Sequence, residues 1–242
     1  RLQLERLLAE EWVARRIDNP HVMKAAAVGR PRSYLYCLCE YIEGQTLAQW
    51  MRDNPQPSLE RVRDIVEQIA RGLRAFHRLE MLHQDLRPAN IMLDADGCVR
   101  LIDFGAVQVA GLLEAGVQHP SERLGTAQYS APEYFVGEQG TARSDQFALA
   151  AITYQMLSGE LPYGAELARA QSRAAQHRLR YRSVLDPQRS LPAWLDPVLR
   201  RALNLDPYKR FEDLSEFVFE LRQPSAAMLA QGHAPLLQRN PV

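Results

Sequence analysis

The sequence predicts an α+β chain in which helices outweigh strands, and three stretches predict it. Leu59, Val62, Ile65, Val66, Ile69, Leu73, Phe76 and Leu79 recur at three- and four-residue steps, the signature of a long helix with one buried face. Phe147 to Leu157 is apolar almost all round, as in a helix buried on every side. Between them stand two short apolar runs, Ile91-Met92-Leu93 and Val99-Arg100-Leu101-Ile102, separated by the turn sequence Asp94-Ala95-Asp96-Gly97. A strand–turn–strand pair set among helices is the expectation.

Composition narrows the field. The 242 residues are 46% hydrophobic, enough for a sizeable core. Lys+Arg and Asp+Glu balance at 29 each, so no general basic field exists to attract nucleic acid. The cations are nearly all arginines, with lysine only at Lys24 and Lys209. Cys37, Cys39 and Cys98 form no metal-ligand spacing and read as reduced thiols. No apolar run reaches the roughly 18 residues of a membrane span, and no secretory signal opens the chain, which points to a soluble, cytoplasmic protein. The first residue is Arg1 within a running amphipathic pattern, so a longer parent chain is expected.

In order along the chain, Leu2, Leu4, Leu7, Leu8, Trp12, Val13 and Ile17 keep a helical spacing that Asn19-Pro20 stops. Ser33 to Ile42 is rich in aromatic and apolar residues and predicts a strand, broken by Glu43-Gly44-Gln45-Thr46. Leu47 to Arg52 predicts a short helix, and Ser58 an N-cap for the long one. His77 reads as a surface or packing histidine. Pro192 to Asn204 and Phe211 to Leu221 predict two closing helices, and residues from Pro224 on a tail.

The chemistry-bearing residues fall into three motifs: His83-Gln84-Asp85-Leu86-Arg87-Pro88-Ala89-Asn90, then Asp103-Phe104-Gly105, then Gly125-Thr126-Ala127-Gln128-Tyr129-Ser130-Ala131-Pro132-Glu133. Pairing the two short strands puts Asn90 and Asp103 at neighbouring strand ends, facing one cleft. A carboxylate and an amide oxygen suit a hard divalent cation.

In order and spacing these motifs resemble the eukaryotic-like protein kinases, with a catalytic loop, an Asp-Phe-Gly turn and an Ala-Pro-Glu closing the activation segment. The resemblance implies a two-lobed fold, mostly the helical large lobe with a truncated β small lobe. Its expected parts are a partial small lobe at 1–42, the large lobe at 43–222 and a tail at 223–242. It implies ATP and Mg²⁺ as cofactors and a protein Ser/Thr hydroxyl as acceptor. Asp85 is then the base, Arg87 (where the family usually has Lys) meets the γ-phosphate, and Thr126 bridges to the catalytic Asp. Asn90 and Asp103 hold the metal. Glu10, or Glu11 on a register one residue along, matches the regulatory-helix glutamate. Cys39 falls at the gatekeeper, Glu40, Tyr41 and Ile42 in the hinge, and Met92 under the adenine. Asp145 matches the aspartate that tethers the catalytic loop, and Arg210 the partner of Glu133. Gln84 replaces the arginine that docks an activation-loop phosphate, so Ser121, Thr126 and Ser130 read as structural or substrate-facing, and Gly105 to Leu124 as a mobile segment.

Glu43-Gly44-Gln45-Thr46-Leu47 and the Ala-Pro-Leu-Leu-Gln-Arg-Asn-Pro end also resemble bacterial proteins that fuse a PP2C-type phosphatase to a kinase and anchor it in the membrane just beyond this point. Neither a Gly-rich loop nor an ATP-holding lysine precedes the first helix, since Lys24 follows it and Lys209 lies far downstream. Two functions are therefore carried forward. One is an ATP-dependent Ser/Thr protein kinase, weakly active or inactive as this chain alone; the other is a pseudokinase or interaction module lacking the ATP clamp. A small-molecule phosphotransferase is disfavoured by the 125–133 motif, which in protein kinases builds a peptide-docking surface. Oligomeric state and protein substrate are not legible.

Overall fold

In a computed structural model of the protein, which describes residues 2–26, 34–109, 127–187 and 189–232, the chain opens with α1 (Leu2–Arg16). Val13, Ala14 and Ile17 join the one main core, and Met23 N and Leu101 N exchange bonds with Leu101 O and His21 O at 3.0 and 2.9 Å. The stretch 33–42 departs from expectation. Residue 33 lies outside the described residues, and the rest holds only an isolated antiparallel bridge, Ala25 to Cys39, flanked by Ala26 N to Leu38 O at 2.8 Å and Glu40 N to Lys24 O at 3.0 Å. Apolar alternation says that a segment fits a pleated surface; it does not supply a ladder partner. Tyr34 and Tyr41 stay 72% and 90% exposed.

The residues read as a break instead form β1 (Gly44–Thr46), which pairs antiparallel with β3 (Ile91–Asp94). Gly44 permits it, because a Cβ there would sit 2.0 Å from Leu93 O. β3 pairs in turn with β4 (Val99–Leu101), Ile91 opposite Leu101, giving a three-stranded sheet in the order β1-β3-β4. The turn aspartate Asp94 accepts from Asp96 N and Cys98 N and also binds Arg100 at 3.0 Å. Arg100 reaches Glu40 at 3.9 Å as well, linking residues 39–42 to the hairpin.

Helix α2 (Leu47–Asp53) starts in a capping box of Thr46 and Gln49. Helix α3 (Leu59–His77) is capped by Ser58, whose Oγ accepts from Arg61 N, and buries the predicted stripe from Val62 to Phe76. It ends two residues short of Leu79, where the chain turns through Glu80 at φ 55°. Gly72 lets it lie against β4, since a Cβ there would be 2.9 Å from Leu101 Cδ1 and 3.0 Å from His21 O.

Beyond β2 (Met81–Leu82), which pairs with β5 (Gln108–Val109), the lower body is helical. It comprises α4 (Pro132–Phe135), α5 (Ala142–Ser158), α6 (Arg173–Gln176), α7 (Leu195–Ala202) and α8 (Leu214–Arg222). As its composition requires, α5 is buried nearly throughout. The tail expected from Pro224 is in part ordered as α9 (Ala226–Gly232), which buries Met228 and packs on α7; residues 233–242 lie outside the described residues. Arg222 fastens α8 to α3 through Glu60, Asp64 and Glu67 at 3.0, 2.5 and 2.6 Å.

Candidate active site

The site forms where α3, the 83–90 loop and the β3–β4 hairpin meet. A 3-10 turn at Pro88–Asn90 folds the chain back so that Asn90 Nδ2 donates to Asp85 O at 2.9 Å and to Asp85 Oδ2 at 3.1 Å. Both amide hydrogens are thereby spent on Asp85, which fixes the orientation of the amide. Its oxygen Oδ1 accepts a longer bond, 3.3 Å, from Arg87 Nε, and that nitrogen lies 3.8 Å from Asp85 Oδ2. Ile102 N donates to Asn90 O at 2.9 Å and brings Asp103 alongside. Burial raises the Asp85 carboxyl above the usual carboxylate range, opposed by Arg87 and His83.

Two of the three non-glycine residues with positive φ among the described residues flank this cluster, Gln84 at 62° and Asp103 at 65°. The third is Glu80. Left-handed backbone on such residues costs about 1–3 kcal/mol each and persists only where surroundings impose it. At Gln84 the imposing group is Asp145, whose Oδ2 and Oδ1 accept from His83 N and Gln84 N, both at 3.0 Å. His77 Nε2 lies 2.8 Å from Asp145 Oδ2, so this histidine is neither a surface nor a mere packing residue. Its position four residues after Leu73, on the buried stripe of α3, was the available signal. Burial alone would push the Asp145 carboxyl up, but the bonds from His77 and the His83 backbone hold it below its ordinary value.

His83 itself is fully buried, with Phe76 and Phe104 around it at ring-centroid distances of 5.5 and 6.3 Å, and neither ring nitrogen has a hydrogen-bond partner among the described residues. Desolvation keeps its imidazole neutral, below the ordinary 6.5. The sign follows: a base depressed in the folded state gives stability that is present above its unfolded value and lost as pH falls through it. Relative to His83→Phe, the native chain should lose more stability on going from neutral pH to pH 5.5. Urea titrations of both proteins at the two pH values check it, and equal losses would refute it.

The remaining expected residues divide. Glu10 is drawn in: burial, and then the negative charge of Asp103, raise its carboxyl. Among the described residues no lysine joins it, for Lys24 pairs with Asp18 at 2.7 Å and Lys209 lies beside Asp206 at 4.0 Å. Cys39, Glu40 and Ile42 line the 39–42 segment and Met92 sits on β3 opposite Thr46, a second group joined to the first through the hairpin. Thr126 and Ser121, with most of the expected mobile segment, lie outside the described residues. Ser130 is buried. Below the site, Glu133 meets Arg210 in a two-bond pair at 2.8 and 2.6 Å and accepts from Ser144 Oγ at 2.7 Å.

The donor set fits Mg²⁺ held with a nucleotide. This ion takes one or two carboxylates plus phosphate oxygens and water rather than a full protein cage. Asp103 and the amide oxygen of Asn90, presented away from Asp85, supply ligands of the right hardness. Among the described residues no group of three or more His, Cys, Asp or Glu offers a larger cage.

A family model described as protein kinase domain matches residues 1–218. Serine/threonine-protein kinases PknA of Corynebacterium glutamicum is 29% identical over 249 residues, covering 96% of this chain and 51% of that protein. Serine/threonine-protein kinases drp72 of Corynebacterium efficiens is 30% identical over 250 residues, 99% of this chain and 46% of that one. Serine/threonine-protein kinase PrkC of Bacillus subtilis is 26% identical over 220 residues, 90% of this chain and 33% of that one. The chain thus spans about half the length, or less, of these curated relatives.

Proposed function

Because the chain belongs to the protein kinase domain family, we propose that it is the catalytic part of a bacterial Ser/Thr protein kinase that transfers the γ-phosphoryl of Mg-ATP to a protein hydroxyl. The observation that carries the reading is the Asp85–Asn90–Asp103 cluster, in which one amide is orientated by the very carboxylate that would receive the proton.

Phosphoryl transfer asks for in-line placement and for cations opposite the developing charge. Asp85 orients the acceptor hydroxyl and takes its proton at the oxygen shared with Asn90 Nδ2. Asn90 Oδ1 and Asp103 would hold Mg²⁺, which when bound supplies charge neutralisation across the phosphates. Arg87, beside Asn90 and Asp85, would bind the γ-phosphate, and unlike lysine its guanidinium can take two oxygens at once. Cys39, Glu40, Ile42 and Met92 are proposed to enclose the adenine, and Thr126 to contact Asp85. Gln84 cannot pair with a phosphate, so activity should not depend on a phosphorylated activation segment.

One observation favours the second reading for this chain by itself. Glu10 faces Asp103 with no lysine between them among the described residues, so a pseudokinase or interaction module without the ATP clamp is the competing function. Transfer of labelled γ-phosphate to a generic basic protein separates the two, using this chain, a form extended upstream, and that form with Asp103→Asn. The kinase reading expects transfer by the extended form and a loss of about 10²–10³-fold in the variant. Absence of both transfer and Mg-ATP binding in the extended form would establish the competing function.

A further inference from the structure

Summed over the chain, 29 positive and 29 negative side chains cancel. Locally they do not. Residues 167–185 carry Arg169, Arg173, His177, Arg178, Arg180 and Arg182 and no Asp or Glu. Arg173 is turned inward to Glu138 and Gln176, and Arg182 lies 3.6 Å from Glu160. Arg169, Arg178 and Arg180 are exposed and have no ion-pair partner among the described residues.

The frame beneath these arginines is fixed at both ends. Gln176 is buried and donates at 2.7 Å to the carbonyl oxygen of Pro132, the first residue of α4, which tethers the stretch to the Ala-Pro-Glu end of the 125–133 motif. Downstream, Asp196 Oδ1 accepts from Tyr181 Oη, Ser183 Oγ and Val184 N at 3.3, 2.7 and 3.1 Å, and Tyr181 packs edge-on to Tyr154 and Tyr163. Between the anchors exposure alternates: Arg178, Arg180 and Arg182 face solvent, while Leu179 and Tyr181 turn inward. Arg178 N donates to Ala175 O at 3.2 Å, closing the turn after α6, so Arg178, Arg180 and Arg182 bring three guanidiniums to the surface within five residues, and each planar fork can take a carboxylate with two bonds.

We propose that residues 169–182 form a docking surface for an acidic segment of a protein substrate, whose Asp or Glu side chains meet Arg178, Arg180 and Arg182. The word substrate rests on the kinase reading; the binding does not. Two other anionic partners fit the page less well. None of the large exposed apolar side chains among the described residues falls within 167–185, so the stretch lacks the apolar half of a membrane-surface element. It likewise presents no exposed Phe, Tyr or Trp on which a base would stack, His177 being its one exposed ring.

The test is fluorescence anisotropy of a labelled peptide alternating Glu with Ser, titrated with the native chain and with Arg178→Ala/Arg180→Ala. Neither arginine has a partner to lose within the described fold, and an unchanged melting curve verifies that the variant is intact. The expected result is salt-sensitive binding that the double variant weakens about ten-fold. Equal affinity of the two proteins would overturn the proposal, as would failure of the native chain to bind. So would preference of the native chain for phosphatidylserine vesicles or single-stranded DNA over the peptide. If anisotropy behaves as expected while phosphoryl transfer fails in the extended form, the surface stands and the kinase reading falls.

Discussion

Replacing Arg210 by Met is expected to destabilise the fold by about 3–5 kcal/mol, because it strands Glu133 as an unpaired charge in the interior. Arg210 is 0% exposed and Glu133 2%. The guanidinium also donates to Arg143 O and Asn204 O, so its loss leaves two carbonyls to find other donors. Burial alone would raise the Glu133 carboxyl, yet the bonds from Arg210 hold it below its ordinary value. Its contribution is therefore present above the unfolded value and lost as pH falls through the folded one. Glu133→Leu combined with Arg210→Met should lose much less than either single change, since an apolar pair of similar volume carries no desolvation cost. Equilibrium urea unfolding of the three variants measures this. Additive losses would show that the pair is not coupled, and that the two residues act through separate neighbours.

The second large effect is expected at Asp145. Asp145→Ala removes the acceptor of His83 N and Gln84 N together. Unsatisfied buried donors cost about 1–3 kcal/mol each, so the fold should lose about 2–6 kcal/mol. Gln84 would also be released from its left-handed conformation, and Asp85 follows it directly in the chain. Activity of the extended form should then fall further than stability alone explains. Asp145→Asn, which keeps the volume but turns one acceptor into a donor, should show this split more cleanly. Transfer rates at a temperature where both proteins stay folded decide the matter. An Asp145→Asn protein with native rates would mean that the loop holds its shape without the tether.

How far the sequence could be read depended on what each residue type was constrained to do. Helices α3 and α5 were legible because burial on one face, or on all, leaves a pattern in the side chains themselves. Asp85, Asn90 and Asp103 were legible because few residue types can move a proton or hold a hard cation, and the hairpin spacing brought them together. The misreadings share a cause: they concern relations that only tertiary structure supplies. A strand at 33–42 needs a neighbour to bond with, and among the described residues Lys24, Ala25 and Ala26 provide just three residues of one. Gly44 reads as a breaker from propensity, whereas the close passage of Leu93 O makes it the residue that admits β1. The partner of His77 lies 68 positions along the chain. The cluster at 169–182 vanished in a net charge of zero, since summation erases position.

The attachment of the catalytic loop to Asp145 has a mechanical consequence. The carboxylate proposed to receive the proton is thereby bolted to α5, a helix buried along nearly its whole length. Residues 17–26 and 34–43, by contrast, meet the hairpin through the bonds of Met23 N and His21 O with Leu101 and through the Arg100–Glu40 contact, so a displacement there would leave the tether of the loop to α5 untouched.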